Sequence, residues 1–449
     1  MANTYLTRTQ TAGNNQKFTY SCWFKVGDLN ASDTSPRLLH TELSSVLYMR
    51  LNLRLSDSCK LDWYFASGGT DYYLRTNRSF RDTSAWYHLV IAADSTQGSG
   101  SDRMKMYING VQETSFAQSI YPPQNLDMAV NNNGTPMTIS KSALSDGYFT
   151  GLMSYVAFVD GTAELPTIFG ETDSVTGQWK IKTDITPSVA WGTNGFLILK
   201  NGNSLTDEST NTNNFTLGGG TLTNTLDCPS NVFATLNSLT KTGNDIKTVG
   251  NGNTSVTASS SSGWGSLYST LGASTGKFYC EVKITDTYGP DANNFIFGIQ
   301  DVTTFNQISN EKVAQNSTGF AYRGNGNKTT NNVQTAYGDT YTTGNIIGVA
   351  MDLDNSKLYF SKDGVWQNSG DPTSGATGTG SAFDLVSGTT YVFGMASYYT
   401  QDDYQFNFGN GYFGTTAVAS AGTNASGNGI FEYDTPTGYT ALSTKGLNL

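Results

Sequence analysis

Apolar and polar residues alternate in short runs along most of the chain. From Lys17 to about Asp160 the runs are "KFTYSCWFKV", "SVLYMRLNLRL", "KLDWYFA", "WYHLVIAAD", "RMKMYINGVQ" and "YFTGLMSYVAFVDG", each bounded by Gly, Asn, Asp or Ser. A period of two sends successive side chains to opposite faces of a strand, and none of these runs has a helical period. Asn109-Gly110, after "MKMYI", predicts a two-residue hairpin, because both positions accept positive φ. Strand upon strand of this kind predicts a two-sheet sandwich over residues 1–165.

Residues 166–245 are less regular. "AELPTIFGE" predicts one short helical turn, "LGGGTLT" a hairpin tip, and Phe196, Leu197, Ile198 and Phe215 need burial, so the segment is expected to be a partly structured connector. A second sandwich is predicted over 246–412, with strands in "GKFYCEVKI", "NFIFGIQD", "GFAYRG", "NIIGVAMDLD", "KLYFSKDGVW", "TYVFGMASYY" and "QFNFGNG". Residues 413–449 are expected to form a loosely packed tail.

"MDLDNSKLYFSKDGVW" (351–366) spaces its aspartates like a calcium loop, but an EF-hand needs Gly at the sixth position and prefers Glu at the twelfth. Lys357 and Asp363 stand there instead. Leu358 and Phe360 share one face while Lys357, Tyr359 and Ser361 share the other. The stretch is therefore read as a three-stranded meander with aspartates at its turns.

Composition agrees with an all-β fold. Among 449 residues are 49 Gly, 25 Tyr and 23 Phe, with only 14% charged, and the length favours two domains. A net charge of −10 argues against nucleic acid as a partner, since a basic face is what releases counter-ions. "MANTYLTRTQTAGNNQ" has no apolar core for a secretory signal, and no apolar run reaches the roughly 20 residues of a membrane helix, so neither export nor membrane insertion is expected. Cys22 alternates with Phe18, Tyr20, Phe24 and Val26, and Cys280 with Phe278, Val282 and Ile284. Both are expected as buried, reduced thiols.

The second half, through "GKFYCEVKI", "FGIQD", "LYFSKDG" and "FNFG", resembles a SPRY domain. The first half, through "FTYSCWFKV", "WYHLVIAAD", "MKMYINGV" and "GLMSYVAFVDG", resembles a laminin-G-type, concanavalin A-like jelly roll. Taken with "DGTAELPTIFGETDSVTGQWKIK", "GTNGFLILK" and "TLDCPSNVFATLN", the arrangement is similar to virion proteins of tailed phages, marine ones especially. That resemblance implies a fibre, spike or capsid-decorating component, located on the virion and assembled with other virion proteins. A homo-oligomer, a trimer by preference, is expected, because contiguous exposed aromatics are costly on a monomer.

Glycosidases share the concanavalin A-like fold, and they need two carboxylates set across the bond. No strand here carries a Glu-x-Asp-x-x-Glu run, and the acidic residues of "AELPTIFGETD" and "LTDEST" fall in turn-like segments. His88, in "AWYHLVI", reads as a strand histidine without a nucleophile motif. No zinc spacing and no phosphate loop is present, so the protein is not expected to be an enzyme and needs no cofactor. The laminin-G resemblance implies a possible calcium ion, with Asp94, Asp102 and Asn109 as local candidates, although turn formation by their side chains accounts for them as well.

Binding is the expected activity. "TDTYGPDANN", "AYRGNGNKTTNN", "VWQNSGD" and "SYYTQDD" have the Tyr, Ser, Gly and Asn content of recognition loops. Tyr288, Tyr322, Trp366, Tyr398 and Tyr399 are the candidate ligand-binding residues, toward a host-surface glycan or protein. The alternatives are a polysaccharide-degrading enzyme on the same fold and a non-viral lectin or scaffold.

Overall fold

Four two-residue turns set the registers of the sheets. Asn109-Gly110, Gly68-Gly69, Asn331-Asn332 and Asp363-Gly364 all have positive φ at both positions, and each joins two antiparallel strands. Their backbone twist matches that of the flanking strands, which is why Asn, Asp and Gly occupy them. A computed structural model describes residues 3–29, 35–142, 147–240, 242–243, 247–258, 263–287, 294–304, 312–399 and 402–449. The chain divides into two compact units, Met1–Asn224 and Thr225–Leu449. Both are β-sandwiches, and the one α-helix among the described residues is the single turn Gly100–Arg103.

The first unit pairs an eight-stranded sheet with a six-stranded one. From edge to edge the larger runs Phe116–Ile120, Thr70–Ser79, Lys60–Ser67, Leu47–Arg54, Arg37–Ser44, Pro136–Ile139, Tyr5–Thr9, Thr216–Gly219. The smaller runs Phe196–Ile198, Leu152–Asp160, Lys17–Lys25, Trp86–Asp94, Met104–Ile108, Val111–Glu113. Alternate residues of the two sheets interleave in one core, with Phe18, Tyr20, Cys22 and Phe24 meeting Leu51, Leu61, Trp63 and Phe65.

The segment read as a connector is not one. Up to Asn224 it belongs to the first unit and adds an edge strand to each sheet. Phe169, Ile185, Val189 and Trp191 also cover the outer face of the six-stranded sheet, packing on Val90, Ala92, Ala157 and Val159. That cover explains why "HLVIAAD" is apolar on both faces. "LGGGTLT" is not a hairpin tip either: Thr216–Gly219 pairs with the first strand. A Cβ on Gly218 would lie 2.2 Å from the Tyr5 ring, so the glycines make room for that aromatic.

The second unit pairs a seven-stranded sheet with a nine-stranded one. The seven run Thr242–Gly243, Gly265–Ala273, Tyr391–Ser397, Phe295–Asp301, Gly319–Arg323, Asn327–Thr330, Val333–Ala336. The nine include Lys247–Gly250, Ser255–Ala258, Asp403–Asn407, Lys277–Asp286, Ile346–Asp352, Lys357–Lys362 and Val365–Trp366. The last three are the meander expected from "MDLDNSKLYFSKDGVW". Asp354 caps the Gly276 amide at 2.7 Å and Asp363 the Ile346 amide at 2.8 Å, both turn functions.

The tail is not loose. Thr440–Ala441 pairs in parallel with Lys277–Asp286, and Phe431, Tyr439 and Ala441 bury the outer face of the nine-stranded sheet against Tyr279, Ala350 and Tyr359. Glu281, fully buried, pins the tail. Its two carboxylate oxygens accept the Glu432 and Tyr433 amides at 2.8 and 2.9 Å, with Asn407 Nδ2 and Tyr279 Oη each at 3.2 Å. All four cysteines are free thiols, with Cys22, Cys59 and Cys280 buried and Cys228 half-buried.

Candidate functional site

Of the five aromatic candidates, the structure brings two together. Tyr398 and Tyr399 follow the strand Tyr391–Ser397 and lie edge to face, with centroids 5.3 Å apart and planes at 88°. Tyr398 also meets the ring of Trp264 edge-on at 5.7 Å. Trp264 immediately precedes the strand Gly265–Ala273, which pairs with Tyr391–Ser397, so the sheet itself sets this proximity. Over the Trp264 ring stand two cations, Lys312 Nζ at 4.8 Å and the Arg323 guanidinium at 5.5 Å. Burial, and then the charge of Arg323, hold the Lys312 ammonium below its usual pKa.

Tyr322 is a correction. It lies on the strand Gly319–Arg323, fully buried, with its hydroxyl donating to the Asp339 carbonyl and its ring against Tyr337, Tyr341 and Phe360. It is a core residue, because the alternation that buries Phe320 buries it too. Trp366 is half-buried at the margin of the tail cluster, edge-on to Tyr279 at 6.2 Å and apart from the Trp264 group. Tyr288 lies outside the described residues.

Trp264, Lys312 and Arg323 escaped the sequence reading. Trp264 sits among serines and glycines in "SSSSGWGS", and its cations come from 48 and 59 positions further on. No local pattern reveals such a contact.

The calcium candidates do not converge. Asp94 ends the strand Trp86–Asp94 and Asn109 stands opposite the neighbourhood of His88, six residues away, or about 20 Å along a strand. Asp94 accepts hydrogen bonds from Thr96 N, Thr96 Oγ1 and Gln97 Nε2 at 3.1, 2.6 and 2.7 Å, with Lys17 Nζ at 3.4 Å. Burial raises its pKa, but those donors and Lys17 together bring it below the usual range. Asp102 pairs with Lys105 at 2.9 Å, and Asn109 Oδ1 accepts the His88 amide at 2.8 Å. These are turn and cap roles, and the three side chains do not fit one shared ion. Among the described residues no group of three His, Cys, Asp or Glu side chains is placed to hold a metal.

His88 has a serine beside it, the arrangement that base-assisted nucleophilic chemistry requires. Ser21 Oγ is 2.9 Å from Nε2, and the Trp179 indole N–H donates to Nδ1 at 2.9 Å. An indole nitrogen is a donor only, so Nδ1 accepts and the proton of the neutral ring sits on Nε2. Nε2–H then donates to Ser21 and cannot take its proton. The imidazole is stacked on Trp23 at 4.7 Å, and complete burial pushes its pKa down to about 3. The cluster is structural.

Compared with known families, residues 1–168 match the concanavalin A-like lectin/glucanases superfamily and residues 277–411 match the SPRY domain. The chain thus carries an N-terminal concanavalin A-like domain and a C-terminal SPRY domain. Among solved structures it is similar to the SPRY domain of human HERC1, at 17% identity over 38% of this chain and 96% of that one, with a TM-score of 0.29. It is also similar to a human SPRY domain, at 13% identity over 36% and 93%, with a TM-score of 0.27. At these scores the likeness adds nothing to the family match. No curated protein matches the chain.

Proposed function

We propose that the chain is a non-enzymatic recognition protein, a structural and adhesive component of a tailed-phage particle that contacts a glycan or protein on the host surface. The observation that carries recognition is the Trp264, Tyr398 and Tyr399 cluster with Lys312 and Arg323 over the indole. Aromatic rings give rigid contact area at little entropic cost, and the half-buried Lys312 beside them can add a charge-assisted hydrogen bond, while Arg323 lies buried against the ring. The donor–acceptor order at His88 supports the non-enzymatic part. The virion setting rests on the resemblance of the whole arrangement to phage virion proteins. In this reading the SPRY half faces the host, the N-terminal half attaches to the particle, and the protein assembles as a homo-oligomer, preferably a trimer.

The test compares the parent chain with W264A and Y398A. Binding to host cells or to a glycan array should fall at least tenfold in each, with melting behaviour retained. Release of reducing sugar from host polysaccharide by the parent chain would replace this reading with that of a degrading enzyme. Undiminished binding by both variants would remove the cluster from the recognition surface.

A further inference from the structure

The outward face of the eight-stranded sheet in the first unit holds a second ordered array. Its side chains alternate with the core residues Met49, Leu51, Leu61, Trp63, Tyr72 and Leu74 and fall into rows across the strands. One row is His40, Arg50, Tyr64, Tyr73, and the next is Arg37, Asn52, Asp62, Arg75. The rings of Tyr48, Tyr64 and Tyr73 form a ladder with centroid spacings of 5.6 and 6.1 Å and interplanar angles of 23° and 1°. The Arg50 guanidinium lies 4.1 Å from the centroid of Tyr64, and that of Arg75 lies 5.9 Å from Tyr73. Asp62, fully buried, has Arg54 and Arg75 nitrogens at 3.6 and 3.5 Å.

Unmet hydrogen bonding and charge both distinguish this face from ordinary sheet surface. Among the described residues, Nε of Arg50 and Nε of Arg54 are buried without an acceptor. Oδ1 of Asn52, a residue 1% exposed, is buried without a donor. An unpaired buried polar group costs about 1–3 kcal/mol, so the polar layer beneath this face is under-satisfied, while Arg50 and Arg75 keep guanidinium surface open to a ligand. The face also gathers Arg37, Arg50, Arg54 and Arg75, four of the nine arginines of the chain, against Glu42, Asp62 and Asp71. A cationic excess on one face of a chain with net charge −10 is a specific feature, because the protein as a whole repels polyanions. Tyr48, Arg50, Tyr73 and Arg75 remain half-exposed and can be reached.

We propose that this face binds an acidic polysaccharide of the uronate type. Its carboxylates would meet the half-exposed guanidinium groups of Arg50 and Arg75, whose planar forks suit them, and its sugar rings would pack on Tyr48 and Tyr73. The site is separate from the Trp264 cluster, so either can fail without the other.

The full chain is run by affinity electrophoresis in gels containing polygalacturonate, with dextran as the neutral control, and its affinity for oligogalacturonate is measured by calorimetry. Polygalacturonate should retard the protein and dextran should not. The double variant Y48A/Y73A, at two half-exposed rings, should lose at least tenfold in affinity with its far-UV spectrum and melting temperature retained. R50K, which keeps the charge and loses the fork, should also weaken binding and guards against a folding defect in the double variant. The absence of retardation by polygalacturonate, equal retardation by dextran, or unchanged affinity in both variants would overturn the proposal.

Discussion

Acidification from pH 7 to pH 5 should move the two units in opposite directions. The first unit buries both histidines as neutral rings. Burial pushes His88 down to about 3, and burial followed by the charges of Arg37 and Arg50 pushes His40 down to about 4. Unfolded, each takes up a proton near pH 6.5 while the folded ring does not, so stability is full above that value and is lost as the pH falls. Each such group costs about 1.4 kcal/mol per pH unit, which for two histidines between pH 6.5 and 5 is roughly 4 kcal/mol. Burial raises the Glu42 carboxyl of the same unit and offsets part of that loss.

In the second unit the sign reverses. Burial pushes the Glu281 carboxyl up to about 7, and hydrogen bonds from the Glu432 and Tyr433 amides, Asn407 and Tyr279 offset only part of the effect. The folded carboxyl holds a proton at pH values where the unfolded one has lost it. Its contribution is full below the unfolded value near 4.5 and is lost as the pH rises to about 7, so a step from pH 7, where the folded group is already half protonated, to pH 5 restores about 2 kcal/mol. Asp94, Asp173, Asp371 and Asp434 are held below the usual carboxylate range and titrate beneath this window. With units of this length shifting by about 2–4 °C per kcal/mol, one calorimetric transition should fall by roughly 8–16 °C and the other rise by roughly 4–8 °C. E281Q assigns them: it should abolish the pH dependence of the rising transition and leave the falling one unchanged. Two transitions falling together, or a pH slope that survives in E281Q, would refute the reasoning.

Trp179→Ala should destabilise the first unit by about 3 kcal/mol, a value typical of removing a packed aromatic. The ring covers Gly110 and Gly170, where an added Cβ would approach it to 2.4 and 2.6 Å, and it supplies the hydrogen bond to His88 Nδ1. Denaturant unfolding should show the loss in the first transition only, and a change below about 1 kcal/mol would contradict this packing role. Native protein treated with a thiol reagent at pH 8 should label at Cys228 and react at the other cysteines only on denaturation. Burial pushes the thiols of Cys22 and Cys59 up to about 12 and that of Cys280 well above its usual value. Rapid reaction of more than one native thiol would show that these strand faces are misassigned.

The strands were legible because their signal is local. Alternation in "KFTYSCWFKV" and "KLYFSKDG" and the positive-φ pairs at Asn109-Gly110 and Asp363-Gly364 each report on neighbours in sequence. Tyr322 was misassigned because tyrosine suits both a recognition loop and a core where its hydroxyl finds an acceptor. The alternation of Phe320 with Tyr322 was the available sign of burial. Residues 166–224 and the tail were illegible for a different reason. Phe169, Trp191, Phe431 and Tyr439 sit in irregular segments whose apolar partners are the outer faces of distant strands, and no periodicity marks such a cover.

Those covers also bear on where function can lie. The six-stranded sheet is closed on its outside by Phe169, Ile185, Val189 and Trp191, and the nine-stranded sheet by Phe233, Phe431, Tyr439 and Ala441. A sheet buried on both faces has no surface left to offer a ligand, and its side chains are fixed by packing. Both covers lie outside the matched family regions, which end at residue 168 and begin at residue 277 and end at 411. Two surfaces among the described residues that keep polar and aromatic side chains within reach are the outer face of the eight-stranded sheet and the Trp264 margin of the seven-stranded one. On the first, arginines stand over tyrosines, and on the second a lysine and an arginine stand over a tryptophan. Cations paired with aromatic rings on these two surfaces suit the recognition of anionic, ring-shaped ligands proposed above.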